Sequence, residues 1–137
     1  SDLREMCLEP CHTMYIFNVQ MDKNGVKRLN CHLTQRSGDM FLGVPFNIAS
    51  ASMLTLIIAK TVNMEVGELM ISVVDSHIYK NHYEQCDLQL TRVPYKFPTL
   101  QINKDLNSLE DIESLKYEDF KLNDYKSHPS IKAPMAI

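Results

Sequence analysis

Apolar and polar residues alternate near the start of the chain, where Tyr15, Phe17, Val19 and Met21 are spaced by Ile16, Asn18 and Gln20. This two-residue period predicts a strand over 15–21. Lys23-Asn24-Gly25 follows as a turn, because Asn and Gly tolerate positive φ. Leu29, Cys31 and Leu33 then alternate with Arg28, Asn30, His32 and Thr34, which predicts a second strand and closes a hairpin. Gly38, Gly43 and Pro45 mark a loop over 38–45. From Phe46 to about Val62 apolar residues recur with few breaks and predict a buried helix, in which the small Ala49, Ser50, Ala51 and Ser52 permit close packing. Gly67 precedes a third strand over 69–79, a shorter helix covers 81–90, and a short strand falls at 100–102. Glu110, Asp111, Glu113, Glu118 and Asp119 read as a solvated acidic face. Strands and helices in irregular order indicate an α+β fold, a mixed sheet packed against a buried helix.

Composition narrows the function. The chain has 137 residues, 45% hydrophobic and 23% charged, which suits one folded domain and excludes a disordered or fibrous class. Fourteen basic residues against seventeen acidic ones give a net charge of −3, with no footprint for general nucleic-acid binding. A small anion needs only a few arginines and stays compatible with that balance. No apolar segment follows Ser1-Asp2-Leu3-Arg4-Glu5, and the apolar run 53–59 is broken at Thr55 and stopped by Lys60, short of a membrane span. Free thiols at Cys7, Cys11, Cys31 and Cys86 in a cytoplasmic or nuclear setting are the expectation. The chain opens without Met, as a fragment or a processed chain does.

Several residues have reactive or ligand-binding chemistry. Cys11, at the entrance to the first strand, is either a nucleophile or an inert buried thiol; a nucleophile needs a cation or base beside it. His12 is poorly placed for that, since neighbours on a strand face opposite ways, whereas Arg36 at the end of the paired strand lies within range. Cys7, Cys11, His12, Cys31 and His32 are soft donors, but their spacing is not that of paired Cys-x2-Cys ligands, and no metal is expected. Arg36 and Ser37 can hold a phosphate by a bidentate contact and a hydroxyl bond, or form an ordinary polar strand end with Asp39. Asn47 both donates and accepts, which matches a uracil edge; a helix cap is the competing use. Asp75, His77 and Tyr79 fall on one strand face and offer hydrogen bonds to a sugar or to one another. His82 and Cys86 share helical spacing with nothing else beside them, and His128 reads as a surface turn.

Five blocks together resemble the thymidylate synthase family: 8–12 (LEPCH), 35–39 (QRSGD), 42–50 (LGVPFNIAS), 75–82 (DSHIYKNH) and 131–137 (IKAPMAI). They stand in that family's order, and the match runs essentially along all 137 residues. The resemblance implies reductive methylation of dUMP to dTMP by 5,10-methylenetetrahydrofolate, with dihydrofolate released and Cys11 forming a covalent adduct. It implies a nucleotide site made by Gln35, Arg36, Ser37, Gly38, Asp39, Asn47, His77, Ile78 and Tyr79. Leu8, Asp39, Leu42, Gly43, Phe46 and Ala136 would face the folate, and the tail around Ala136 would close over it. A homodimer packed through its sheets is also implied.

The departures from the family are as informative. Val74, preceded by Val73, stands where the family commonly has a glycine before the aspartate, adding bulk beside the nucleotide. Ala51 replaces a common tyrosine and alters helix packing. The family's upstream arginines, glutamate and tryptophan have no counterpart, so residues 1–137 are expected to be the C-terminal part of one domain, inactive without its N-terminal half. Two other readings are a non-catalytic or dimerising fragment and a pyrimidine hydroxymethylase, the latter disfavoured because it goes with Asp where Asn47 stands. A dihydrofolate reductase domain fused to the parent chain is compatible with the same residues.

Overall fold

The computed structural model describes Met6 and residues 9–135. Strands β1 (His12–Met21) and β2 (Lys27–Asp39) form the expected antiparallel hairpin, with Tyr15 opposite Leu33 and Phe17 opposite Cys31. Asp22 shapes its turn: the carboxylate accepts the Asn24 and Val26 amides at 2.8 and 3.0 Å, and Gly25 takes φ +81°. The Val26 N–H, then the Asn24 N–H and Arg28, hold the Asp22 carboxyl below its ordinary value against a smaller desolvation effect. β2 is central. Its other edge pairs in parallel with β3 (Glu65–His77), through the crossover helix α1 (Gly43–Thr61).

Helix α1 begins earlier than the glycine and proline pattern indicates. β2 runs on to Asp39, and α1 starts at Gly43 with Pro45 in its first turn, where a missing N–H leaves no helical bond unmade. The loop expected over 38–45 shrinks to residues 40–42. Val44, Ala51, Thr55, Ile57 and Ala59 are buried, and the small residues at 51, 55 and 59 let the helix approach the sheet closely. The Thr55 hydroxyl donates to the Ala51 carbonyl at 2.7 Å, so its burial strands no polar group. Burial is one-sided: Phe46 is 75% exposed, with Ile48 and Met53 also exposed, so the fully buried helix expected from its composition is covered on one side only. By length and composition alone α1 could cross a membrane; it lies against the sheet instead.

The third strand also begins earlier than expected and stops short of Tyr79. Gly67 therefore lies inside it, for a steric reason. Between Leu29–Val66 and Cys31–Leu69 the register slips by one residue, and Asn30 Oδ1 accepts the freed Glu68 amide at 2.8 Å. A Cβ on Gly67 would strike that same oxygen. Val74 is 77% exposed and alternates away from Val73 and Asp75, and the pairing from Gln35–Val73 to Asp39–His77 continues past it. Its extra bulk thus points off the sheet and does not displace the strand. Ala51 is fully buried.

A one-turn 3₁₀ segment (Lys80–His82) leads into α2 (Tyr83–Leu90). Beyond it, β4 (Thr99–Ile102) pairs with an unforeseen strand, β5 (Phe120–Asn123). Between them lies α3 (Leu109–Glu113), whose Ser108 cap accepts the Asp111 amide at 3.2 Å. The acidic stretch is accordingly only partly a solvated face, since Asp111 and Asp119 accept the Asn107 and Lys116 amides. Ile57 of α1 packs with Ile102 and Leu106, and Lys60 Nζ donates to the Ile102 carbonyl at 2.8 Å.

Candidate active site

The end of β2 organises the candidate residues. From Leu29 to Gln35 every second side chain is buried; then the period slips, leaving Arg36 and Ser37 both half-buried and Gly38 buried. Arg36 reaches the segment before β1. Its amide donates to the Cys11 carbonyl at 2.9 Å, Nε donates to the Pro10 carbonyl at 3.2 Å, and Nη2 donates to the Glu9 carbonyl. A fixed positive charge is thereby held beside the half-buried Cys11 segment. His12 is engaged elsewhere, its Nδ1 at 3.0 Å from the Tyr15 hydroxyl, because the irregularity between His12 and Met14 brings both rings together. Burial, then the Cys31 thiol, raises the Tyr15 hydroxyl above the ordinary phenol value.

Gln35 turns inward and is 2% exposed. Its Nε2 donates to the Ser37 carbonyl at 2.8 Å and to Asn47 Oδ1 at 2.9 Å. Asn47 therefore does not cap α1: the residue preceding the helix is Leu42, and no side chain caps it. Gly43 lies between Asp39 and Asn47, since a Cβ there would sit 3.5 Å from Asp39 Cβ and 3.9 Å from Asn47 Oδ1. Gly38 is enclosed more tightly, with Val44 and Val73 each 2.8 Å from where its Cβ would be.

On the other side of β2, the Ser37 hydroxyl donates to Asp75 Oδ2 at 3.3 Å, and His77 Nδ1 lies 3.5 Å from the same carboxylate oxygen. Tyr79 lies beyond the strand, not on its face, yet its ring meets the His77 ring edge-on at 5.1 Å. Ile78 is 43% exposed. Asp39 Oδ1 accepts the Phe41 amide at 3.0 Å, and the Met40 amide donates to the His77 carbonyl, tying the ends of β2 and β3 together.

Leu42 and Phe46 line a cavity of about 460 Å³ with Arg92, His128, Pro129 and Ile131; Asp39 and Gly43 lie outside its lining. The chain of residues 1–137 matches the family model described as thymidylate synthase. The protein belongs to the thymidylate synthase family.

Within this family member, the hairpin and α1 gather Cys11, Gln35 to Asp39 and Asn47 at one end of the sheet, with His77 and Tyr79 alongside. Leu8 and Ala136 lie outside the described residues. Two histidines play parts that their sequence positions do not signal. His82 is fully buried, with Nε2 2.7 Å from the Pro134 carbonyl and Nδ1 3.9 Å from Asp39 Oδ1. His128 is not a free surface turn: Nε2 lies 2.9 Å from the Val93 carbonyl and its ring stacks on Tyr95.

Proposed function

We propose that this protein carries out the reductive methylation of dUMP to dTMP, with 5,10-methylenetetrahydrofolate as one-carbon donor and dihydrofolate as product. The observation that supports it best is the Gln35–Asn47 contact beside the Arg36–Cys11 segment. Uracil presents an N–H at position 3 next to a carbonyl at position 4. Asn47 matches that order when Oδ1 accepts and Nδ2 donates. Cytosine reverses it, and a flipped Asn47 would set its NH₂ against the Gln35 NH₂. Uracil is therefore the base that the held amide accepts, which also disfavours the hydroxymethylase reading.

In this reading the Cys11 thiolate adds to carbon 6 of the pyrimidine and makes carbon 5 nucleophilic. Arg36, fixed against the same segment, keeps its positive charge beside the nucleophile. Arg36 and Ser37 hold the phosphate, the Gly38–Asp39 backbone lies along the pyrimidine, and His77, Ile78 and Tyr79 meet the sugar. The folate, when bound, supplies the one-carbon unit and the hydride that completes the methyl group. An apolar cavity of about 460 Å³ at Leu42 and Phe46 suits it. In this reading Gly43, with Leu8 and Ala136 from outside the described residues, would also face the folate.

The exposed apolar faces support a larger assembly. Phe46, Ile48 and Met53 on α1, with Phe17 and Val19 on β1, suit cover by the N-terminal half of the same domain. Met14, Ile16, Met70 and Val74 on the opposite sheet face suit a homodimer packed through its sheets. Residues 1–137 alone are then inactive, and the whole protein works in the cytoplasm.

The test is alkylation of Cys11 in the whole protein, followed residue by residue by mass spectrometry so that Cys7, Cys31 and Cys86 are read separately. We expect dUMP to slow the reaction and dCMP to leave it unchanged. Equal protection by both refutes the Asn47 reading, and protection by neither refutes the nucleotide site.

A further inference from the structure

We propose that His82 is a positioning residue that latches the C-terminal segment onto the Asp39 end of the sheet. The ring is completely buried, between Phe41 (centroids 5.5 Å apart) and Tyr79 (5.6 Å), and its own amide donates to the Tyr79 carbonyl at 2.9 Å. The backbone turn and both aromatic neighbours therefore fix where the ring edge points. That edge meets the Pro134 carbonyl at 2.7 Å, across 52 residues of sequence. A carbonyl only accepts, so Nε2 carries the proton and donates it. Nδ1 lies 3.9 Å from Asp39 Oδ1, with no hydrogen-bond partner among the described residues.

This arrangement is costly unless it has a use. Burying an imidazole with one nitrogen unpartnered opposes folding. An apolar side chain would fill the same space between Phe41 and Tyr79 without that penalty. What the imidazole adds over an apolar side chain is a donor aimed at the tail from the element that also borders Asp39. Pro134 suits the other half of the latch, because its fixed φ limits how far the carbonyl can swing once released. Tail position and the Asp39 surroundings are thus coupled through one ring. The consequence for folate binding rests on the reading given above, whereas the latch itself does not.

The bond between Lys132 and Ala133, two residues from the held carbonyl, reports on the latch to trypsin, because a protease cuts a segment faster once its fixed contacts are released. Cleavage there is compared with cleavage after Lys126 in the full protein, in wild type, H82Q and H82L, with thermal melts to confirm folding. H82L cannot donate, and loss of one such hydrogen bond should speed cleavage after Lys132 about five- to tenfold while leaving Lys126 unchanged. H82Q extends an amide N–H to the place of Nε2 and should restore a rate within about twofold of wild type. If H82L does not fold, H82N serves, since its amide stops one bond short of Pro134. Equal cleavage in all folded variants overturns the proposal, as does a failure of H82Q to rescue. Folate affinity in the presence of dUMP is measured on the same proteins. A freed tail with unchanged folate affinity leaves the latch standing and counts against the folate role of the tail.

Discussion

Gly38→Ala tests how tightly the active end of β2 is packed. An added Cβ would lie 2.8 Å from Val44 Cγ2 and 2.8 Å from Val73 Cγ1, with Gln35 Nε2 at 3.4 Å. Neither valine yields easily, because both are β-branched and one is held by α1 and the other by β3. Replacing a glycine by alanine at a compatible site gains about 0.4–1 kcal/mol from the unfolded chain. Overpacking a close-packed site costs about 1–3 kcal/mol, so the clash should win by roughly 1–2 kcal/mol.

With a urea m-value of about 1–3 kcal/mol/M, that difference lowers the unfolding midpoint by about 0.3–2 M. V73A removes one of the two opposing atoms, so the G38A/V73A pair should lose less stability than the sum of the single variants, with a coupling of about 0.5–2 kcal/mol. Weakened dUMP binding is expected alongside, because the new methyl also crowds the amide that holds Asn47. An unchanged or raised midpoint for G38A, or strict additivity with V73A, would show that the close approach read here is not what requires glycine.

Two further outcomes follow from the sheet. G67A should destabilise by about 1–3 kcal/mol, since its Cβ competes with Asn30 Oδ1 for the same space, and N30A should remove most of that penalty in thermal melts; a G67A melt indistinguishable from wild type would contradict the bulge geometry. For Asp22 the folded carboxyl titrates below its unfolded value, so its contribution is present above the ordinary carboxylate range and is lost as pH falls through the folded value. D22N should therefore flatten the acid limb of stability measured from about pH 6 down to pH 3, and parallel curves for the two proteins would refute the assignment.

What the sequence discloses depends on the range of the interaction that decides each element. The β1–β2 hairpin was legible because alternation and the Asn24-Gly25 turn act within a few residues, and its pairing was enough to bring Arg36 to Cys11. The start of α1 was not, because Gly43 and Pro45 read as loop residues although proline suits a first helical turn. Ser108-x-x-Asp111 is a cap signal that could have revealed α3, whereas the alternation of Phe120-Lys121-Leu122-Asn123 spans only four residues, and β5 owes its form to pairing with β4. Tyr79 falls on the Asp75–His77 face only if the strand continues, and it does not. The part played by His82 is set by Asp39 and Pro134, too far away in sequence for spacing to reveal it.

Gln35 shows how packing and selectivity meet in one side chain. It continues the buried series Leu29, Cys31, Leu33, where an apolar residue would be the simplest solution for the core. The amide instead leaves Oε1 without a hydrogen-bond partner among the described residues while Nε2 satisfies two acceptors, the Ser37 carbonyl and Asn47 Oδ1. Turning the amide over would place its oxygen against both, so its orientation is determined without any contact to a ligand. In the proposed reading that orientation is passed to Asn47, which without it could present either order of donor and acceptor and would take cytosine as readily as uracil. On that reading the discrimination rests on a side chain whose own donors go to Ser37 and Asn47, and the cost of burying an incompletely paired amide is borne by the core of the sheet.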